Sequence, residues 1–252
     1  RITFHCNGLV RGLVNGNDTW WYVTGSKVNF CNTVASNAWG WWKITNGRVD
    51  FDFSGLAENA YGWWKITNGQ VDFSYVGYEQ SGSNWWYVYG GQVCFQATDV
   101  LPGTVGGQYG WWKVCEGKVN FDDDVCENAY GWWKITTGKV DFQYTGLAQN
   151  ACGWWMIQNG HVNFGSNGLV DNGNGWWLVR NGCVDFTYNG LVDNGNGWWL
   201  IRNGYVDFDY NGLVDNGNGW WLVKNGCVDF SYQGYVQNEC GVWWVSNGQV
   251  QF

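Results

Sequence analysis

Paired tryptophans punctuate the chain at a nearly fixed interval. The pairs begin at Trp20, Trp41, Trp63, Trp85, Trp111, Trp132, Trp154, Trp176, Trp198, Trp220 and Trp243. A period of about 22 residues marks a tandem array of one supersecondary unit, and it limits the fold more than any other feature of the sequence. One interval is longer, because an insertion near residues 98–108 surrounds Leu101-Pro102-Gly103. The last pair is out of frame by one residue relative to its turn, Asn247-Gly248, so Trp243 rather than Trp244 falls in the second-tryptophan slot.

One unit reads Gly62-Trp63-Trp64-Lys65-Ile66-Thr67-Asn68-Gly69-Gln70-Val71-Asp72-Phe73-Ser74-Tyr75. Asn-Gly between two short β-prone runs predicts a type I′ hairpin, since both central residues of that turn need positive φ. A two-residue turn sets the register: Thr67 faces Gln70, Ile66 faces Val71, Lys65 faces Asp72 and Trp64 faces Phe73. Trp64, Ile66, Val71 and Phe73 then form an apolar face. The opposite face carries Trp63 and a Lys65–Asp72 pair that recurs as Lys43–Asp50 and Lys134–Asp141. The second tryptophan is expected in the core and the first on the mixed outer face.

A lone two-stranded hairpin is barely stable in water. Eleven such hairpins, joined by linkers of the Gly-Leu-Ala-Glu-Asn-Ala-Tyr kind, are expected to stack into an all-β hairpin-repeat solenoid spanning residues 1–252 as one array. Leu56, Leu147, Leu169, Leu191 and Leu213 of the linkers are expected to cover hairpin edges. No segment shows the period of an amphipathic helix. Arg1–Phe4 matches the second strand of a unit, giving a half repeat at residues 1–10. With the C-terminus closing on a full hairpin, neither end reads as a polar cap. The expectation is a fragment of a longer chain, or contact with a second copy through the ends.

Charge narrows the partners. The formal net charge is −8 and no basic cluster interrupts it, which argues against a nucleic-acid partner. No apolar run is long enough to insert in a membrane. The cysteines number nine, an odd count, and none shows metal-site spacing.

Chemistry-bearing clusters are sparse. His161 follows a turn and reads as a solvated variable position, and His5 occupies a Ser74-type slot. The acids Asp50, Asp72, Asp141, Asp185, Asp207 and Asp229 recur once per unit, whereas a catalytic carboxylate pair needs two acids in one special environment. No catalytic residue, metal site or cofactor is expected. The oxygen-rich runs at Asp171, Asp193 and Asp215 read as turn chemistry.

The aromatic series is the functional signal. Trp41, Trp63, Trp85, Trp111, Trp132, Trp154, Trp176, Trp198 and Trp220, with Tyr75, Tyr144, Tyr188, Tyr210 and Tyr232, place rings at regular steps as candidate outer-face ligand sites. Flat rings stack on sugar faces and attract quaternary ammonium groups. Weak sites, repeated, gain through avidity.

Units such as Tyr188-Asn189-Gly190-Leu191-Val192 followed by Gly197-Trp198-Trp199-Leu200-Ile201-Arg202-Asn203-Gly204-Tyr205-Val206-Asp207-Phe208 resemble the tryptophan-rich repeats of secreted and surface proteins from Gram-positive gut anaerobes. These are similar in turn to choline-binding and glucan-binding cell-wall repeats. The resemblance implies a β-solenoid, a secreted or cell-surface location and a cell-wall polymer or glycan as partner. Val-Asp-Phe stands where choline-binding units carry Trp-Tyr-Tyr, so the partner carried over is a wall glycan and not the choline cage. The function expected is non-catalytic glycan binding; the alternative is a structural stalk or self-assembling extracellular fibre.

Overall fold

The computed structural model describes residues 6–252; Arg1–Phe4 and His5, with the half repeat read there, lie outside the described residues. The described chain is all-β, with 33 strands and no helix. It is a hairpin-repeat fold of eleven units with three strands each. By compactness the described residues divide into two parts, residues 6–122 with 136–140, and residues 123–135 with 141–252.

The turn forms as its sequence requires. Asn68 and Gly69 take φ of 49° and 80°, and Ile66 pairs with Val71 and Thr67 with Gln70. Asp72 N–H donates to Lys65 O at 2.9 Å. There the ladder ends, because the second strand is only Gln70–Val71. Trp64 does not continue into a strand pair with Phe73. It pairs instead with Ala57, since the segment taken as a linker is itself a strand, Gly55–Asn59, hairpinned in register with Gly62–Thr67. Five cross-strand pairs there exceed the two beyond the Asn-Gly turn, so this is the main hairpin of the unit. The insertion near residues 98–108 lengthens a hairpin: Asp99–Val105 pairs along its length with Gln108–Cys115.

Within each part the core is built from β-branched residues. Ile66 and Val71 are buried, and the equivalent positions Ile44, Val88, Ile157, Val179, Ile201, Val223 and Val245 are fully so. Burying each contributes roughly 1.5–3 kcal/mol. Phe73 was expected beside them but is 49% exposed, because the chain turns away after Val71. Leu147 and Leu213 are buried, while Leu56, Leu169 and Leu191 pack partly buried against the core of the following repeat.

Repeats join through the turn glycine. Gly69 N–H donates to Phe53 O at 2.8 Å, and Gly69 O accepts from Lys43 N–H at 2.8 Å. A Cβ on Gly69 would stand 2.5 Å from Asp50 O and 2.6 Å from Phe51 Cα. The glycine therefore serves two needs, positive φ and the backbone contact that stacks one repeat on the last.

The expected Lys–Asp pairs re-form with other partners. Lys65 Nζ meets Glu79 at 2.8 Å and lies over the Tyr75 ring, while Lys134, buried, meets Asp123 at 3.4 Å and donates to Ile135 O. Lys43 Nζ lies over the Phe53 ring, and Asp50 accepts from Thr45 Oγ1 at 2.9 Å. In later repeats the recurring Asp is met from the residue just before the turn, as in Arg180–Asp185 at 3.3 Å and Lys224–Asp229 at 2.9 Å. The cause is the short second strand: beyond Val71 the carboxylate leaves the face on which a longer ladder would have held it.

Candidate functional site: aromatic clusters at the repeat joints

The strand Gly62–Thr67 sends its two tryptophans to opposite sides. Trp64 turns inward and is buried, and its indole N–H donates to Asn59 Oδ1 at 2.9 Å. Trp133, Trp155 and Trp243 bond the same way to Asn128, Asn150 and Asn238. Trp243 thus holds the second-tryptophan position, and Trp244 is 39% exposed.

The first tryptophans do not stand free on an outer face. Each is half-buried, Trp111 included. Most lie against the second tryptophan of the next repeat: Trp41 on Trp64 at 4.9 Å between ring centroids, Trp63 on Trp86 at 5.4 Å, and Trp132 on Trp155 at 5.2 Å. Trp154 on Trp177, Trp176 on Trp199 and Trp198 on Trp221 continue the series at 5.2, 5.2 and 4.9 Å. The phenylalanine of Val-Asp-Phe closes a third side. Phe73 stands 5.9 Å from Trp41 and 5.7 Å from Trp64, near-perpendicular to the first. Its chain turn, which took it out of the core, is what brings it here.

The same three rings recur as Trp63–Trp86–Phe95, Trp154–Trp177–Phe186, Trp176–Trp199–Phe208 and Trp198–Trp221–Phe230. Each phenylalanine is 36–49% exposed, so every trio has one wall facing solvent. Two trios enclose measurable space. Trp20, Trp42 and Phe51, with Trp39, Asn37 and Val49, line a pocket of about 270 Å³. Trp220, Trp243 and Phe252, with Leu213, Asn238, Cys240 and Val250, line one of about 250 Å³. Each pocket has almost wholly apolar walls and one amide at its edge.

The tyrosines have work of their own. The hydroxyls of Tyr75, Tyr144, Tyr188, Tyr210 and Tyr232 each donate to the backbone oxygen three residues on, at 2.7–3.1 Å. A cation already covers each ring: Lys65, Lys134, Arg180, Arg202 and Lys224 stand 4.3–5.6 Å from the centroids. Tyr75 and Tyr144 are half-buried, and burial pushes their hydroxyls above the ordinary tyrosine range.

His161 is half-buried. Its ring packs edge-on against Trp133 at 4.9 Å, with Nδ1 2.8 Å from Val162 O. The residue after the turn glycine pairs across strands with the second tryptophan of the preceding repeat, as Gln70 does with Trp42 and Gln92 with Trp64, and Tyr205 also packs its ring against Trp177. It also lies over the glycine that precedes the Trp pair of the previous repeat; Gly62 leaves room for Gln92, whose side chain a Cβ would strike. That explains the Gly-Trp-Trp motif.

The recurring carboxylates are structural. Asp185 and Asp229 accept from the backbone and hydroxyl groups of Thr187 and Ser231, which hold both below the usual carboxylate range, with help from Arg180 and Lys224. Asp171 and Asn172 accept backbone N–H groups within their own loop. Among the described residues no three His, Cys, Asp or Glu side chains converge as a metal site would need, and no disulfide joins any of the nine cysteines. No helix is long and apolar enough to cross a membrane.

The joint trios were not legible from one repeat, because they combine residues from two. The available signal was the constancy of Phe in Val-Asp-Phe despite its exposure.

Six segments match the family model of the choline-binding repeat: residues 11–29, 52–72, 143–163, 165–185, 187–207 and 209–229. No curated protein matches the sequence. Among solved structures, choline binding protein F from Streptococcus pneumoniae aligns at 17% identity over 92% of this chain and 77% of its own, with a TM-score of 0.33. The modular autolysin LytC from Streptococcus pneumoniae aligns at 12% identity over 96% of this chain but 48% of its own, with a TM-score of 0.39. An alternansucrase in complex with isomaltononaose aligns at 11% identity over 87% of this chain and 16% of its own, with a TM-score of 0.31. The chain is an array of tryptophan-rich hairpin repeats similar to the choline-binding repeats, which six of its segments match directly.

Proposed function

We propose that this array is a non-catalytic, extracellular binding module that holds quaternary ammonium groups, choline above all, on a cell-wall polymer. The observation that carries the reading is the three-ring trio at the joint between repeats, two indoles and a phenylalanine around an apolar corner. A trimethylammonium group has no N–H to donate, so it is recognised by ring faces and not by acceptors. Each cation–π contact contributes about 0.5–2 kcal/mol, which makes single sites weak. A polymer bearing many such groups would gain through simultaneous engagement of successive trios.

The trio also revises the ligand preference read from sequence. Val-Asp-Phe lacks the Trp-Tyr-Tyr run, yet its phenylalanine supplies the third ring from another direction. The tyrosines, each bonded and covered by an internal cation, are removed from the candidate list. Trp41, Trp63, Trp85, Trp111, Trp132, Trp154, Trp176, Trp198 and Trp220 remain the candidate ligand contacts, as the first tryptophans at the joints. The alternative of a structural stalk or self-assembling fibre drew on uncapped ends, low charge and an odd cysteine number; the strand at Arg1–Phe4 that it would use lies outside the described residues.

The test is retention of the folded chain on a choline-derivatised matrix. Elution by free choline and not by equimolar sodium chloride supports the reading; passage straight through the column overturns it.

A further inference from the structure

The residue after the turn glycine lies on the second tryptophan of the preceding repeat, and so it backs one wall of that repeat's trio. Its identity varies along the array while the trio does not. At most joints it is uncharged, as with Gln92 on Trp64, Cys183 on Trp155, Tyr205 on Trp177 and Gln249 on Trp221. At three joints it is basic: Arg48 pairs with Trp21, and at two others the residue is a lysine whose ammonium lies over the indole. Lys118 pairs with Trp86 and sets its ammonium 4.9 Å from the indole centroid. Lys139 pairs with Trp112 and sets its ammonium 5.9 Å from that ring.

Trp86 belongs to the trio with Trp63 and Phe95, and Trp112 packs with Trp85 and Phe121. Each of these trios therefore already has a cation on one of its indoles. Neither lysine forms an ion pair among the described residues, so its charge is not cancelled locally.

We infer that Lys118 and Lys139 are specificity-determining residues that weaken the binding of cationic ligands at their two trios, so that the array carries sites of graded affinity. The inference rests on the quaternary-ammonium reading above and adds which sites fill first. The attraction of a ring for a cation comes from its quadrupole, and a resident ammonium draws on the same electron density. The two positive charges also repel directly across the buried ring. A neutral ligand of the same shape meets neither penalty. The effect is thus a preference by charge and not by size.

The experiment is calorimetric titration of the full chain with choline and with its neutral isostere 3,3-dimethyl-1-butanol. Lys118→Gln with Lys139→Gln is the test variant, and glutamine already occupies this slot at Gln70, Gln92 and Gln249, so the fold accommodates it. The expected result is a gain of about tenfold in choline affinity at two sites, equivalent to about 1.4 kcal/mol each, with binding of the alcohol unchanged. The reverse variant, Gln92→Lys, should weaken one choline site by a similar factor. Unchanged choline isotherms, or equal shifts for choline and the alcohol, overturn the inference. Failure of the folded wild-type chain to bind choline would overturn the functional reading itself, and is seen before any variant is made.

Discussion

Trp198 and Trp221, one repeat apart, meet at 4.9 Å between ring centroids with their planes tilted by 54°. With Phe230 at 5.8 and 5.7 Å from them they make one joint of the array. The contact performs two tasks, since it stacks repeat on repeat and leaves an aromatic corner at the surface.

Replacing Trp198 by leucine keeps apolar bulk at the joint but removes one ring from the trio. Choline affinity at that joint should fall by about 0.5–2 kcal/mol, the contribution of one cation–π contact. Calorimetry reads the loss as one weakened site among several. Circular dichroism should show the β-fold retained.

The turn glycine predicts a larger structural effect. Gly69→Ala forces a Cβ against Asp50 O and Phe51 Cα while φ stays at 80°, so the substitution should cost more than the roughly 1 kcal/mol of conformational preference alone, on the order of 2–4 kcal/mol. Asn68→Gly, one residue earlier, keeps positive φ available and should cost a few tenths of that. Thermal unfolding of the two variants separates the stacking role from the turn role; equal effects would contradict it.

Asparagine before the Trp pair has unequal value along the chain. Asn59 Oδ1 accepts both Tyr61 N–H and Trp64 Nε1–H, so Asn59→Ala strands a buried indole donor and should destabilise by about 1–3 kcal/mol. Asn172 accepts only Asn174 N–H in its tighter loop, and Trp177 Nε1 is already without a partner there. Asn172→Ala should therefore cost clearly less in chemical denaturation. The same holds for the loops before Trp199 and Trp221, whose indole N–H groups are likewise unpaired.

Acid should loosen the array through Asp185 and Asp229. Hydrogen bonds from Thr187 and Ser231 hold both carboxyls below the ordinary aspartate range in the folded state. A depressed folded pKa means that the stabilisation is complete above the unfolded value and is lost as pH falls below about 4 and through the folded value. Unfolding midpoints should drop over that range. Thr187→Ala with Ser231→Ala should flatten the drop.

Period and turn chemistry made much of the fold legible. Asn-Gly needs positive φ at both positions, so the hairpins, the Ile66–Val71 register and the buried second tryptophan follow from local rules. The strands of the Gly55–Asn59 kind were hidden, because a five-residue segment holding Ala, Glu and Asn has little strand propensity, and its pairing is set by the turn at Ala60-Tyr61. The site was less legible than the fold. Phe73 reads as core from alternation alone, and only the break after Val71 turns it toward Trp41 of the previous repeat. The fate of Tyr75 depended on a hydroxyl bond three residues along and on Lys65, which pattern does not reveal.

The central claim is that the joints hold quaternary ammonium groups, and the most direct measurement is a crystal structure of the chain grown with choline. The account predicts trimethylammonium density bounded by two indoles and a phenylalanine at successive joints, including those at Trp20–Trp42–Phe51 and Trp220–Trp243–Phe252. It also predicts lower occupancy beside Lys118 and Lys139. Empty joints at saturating choline, or choline bound only away from these rings, would contradict it.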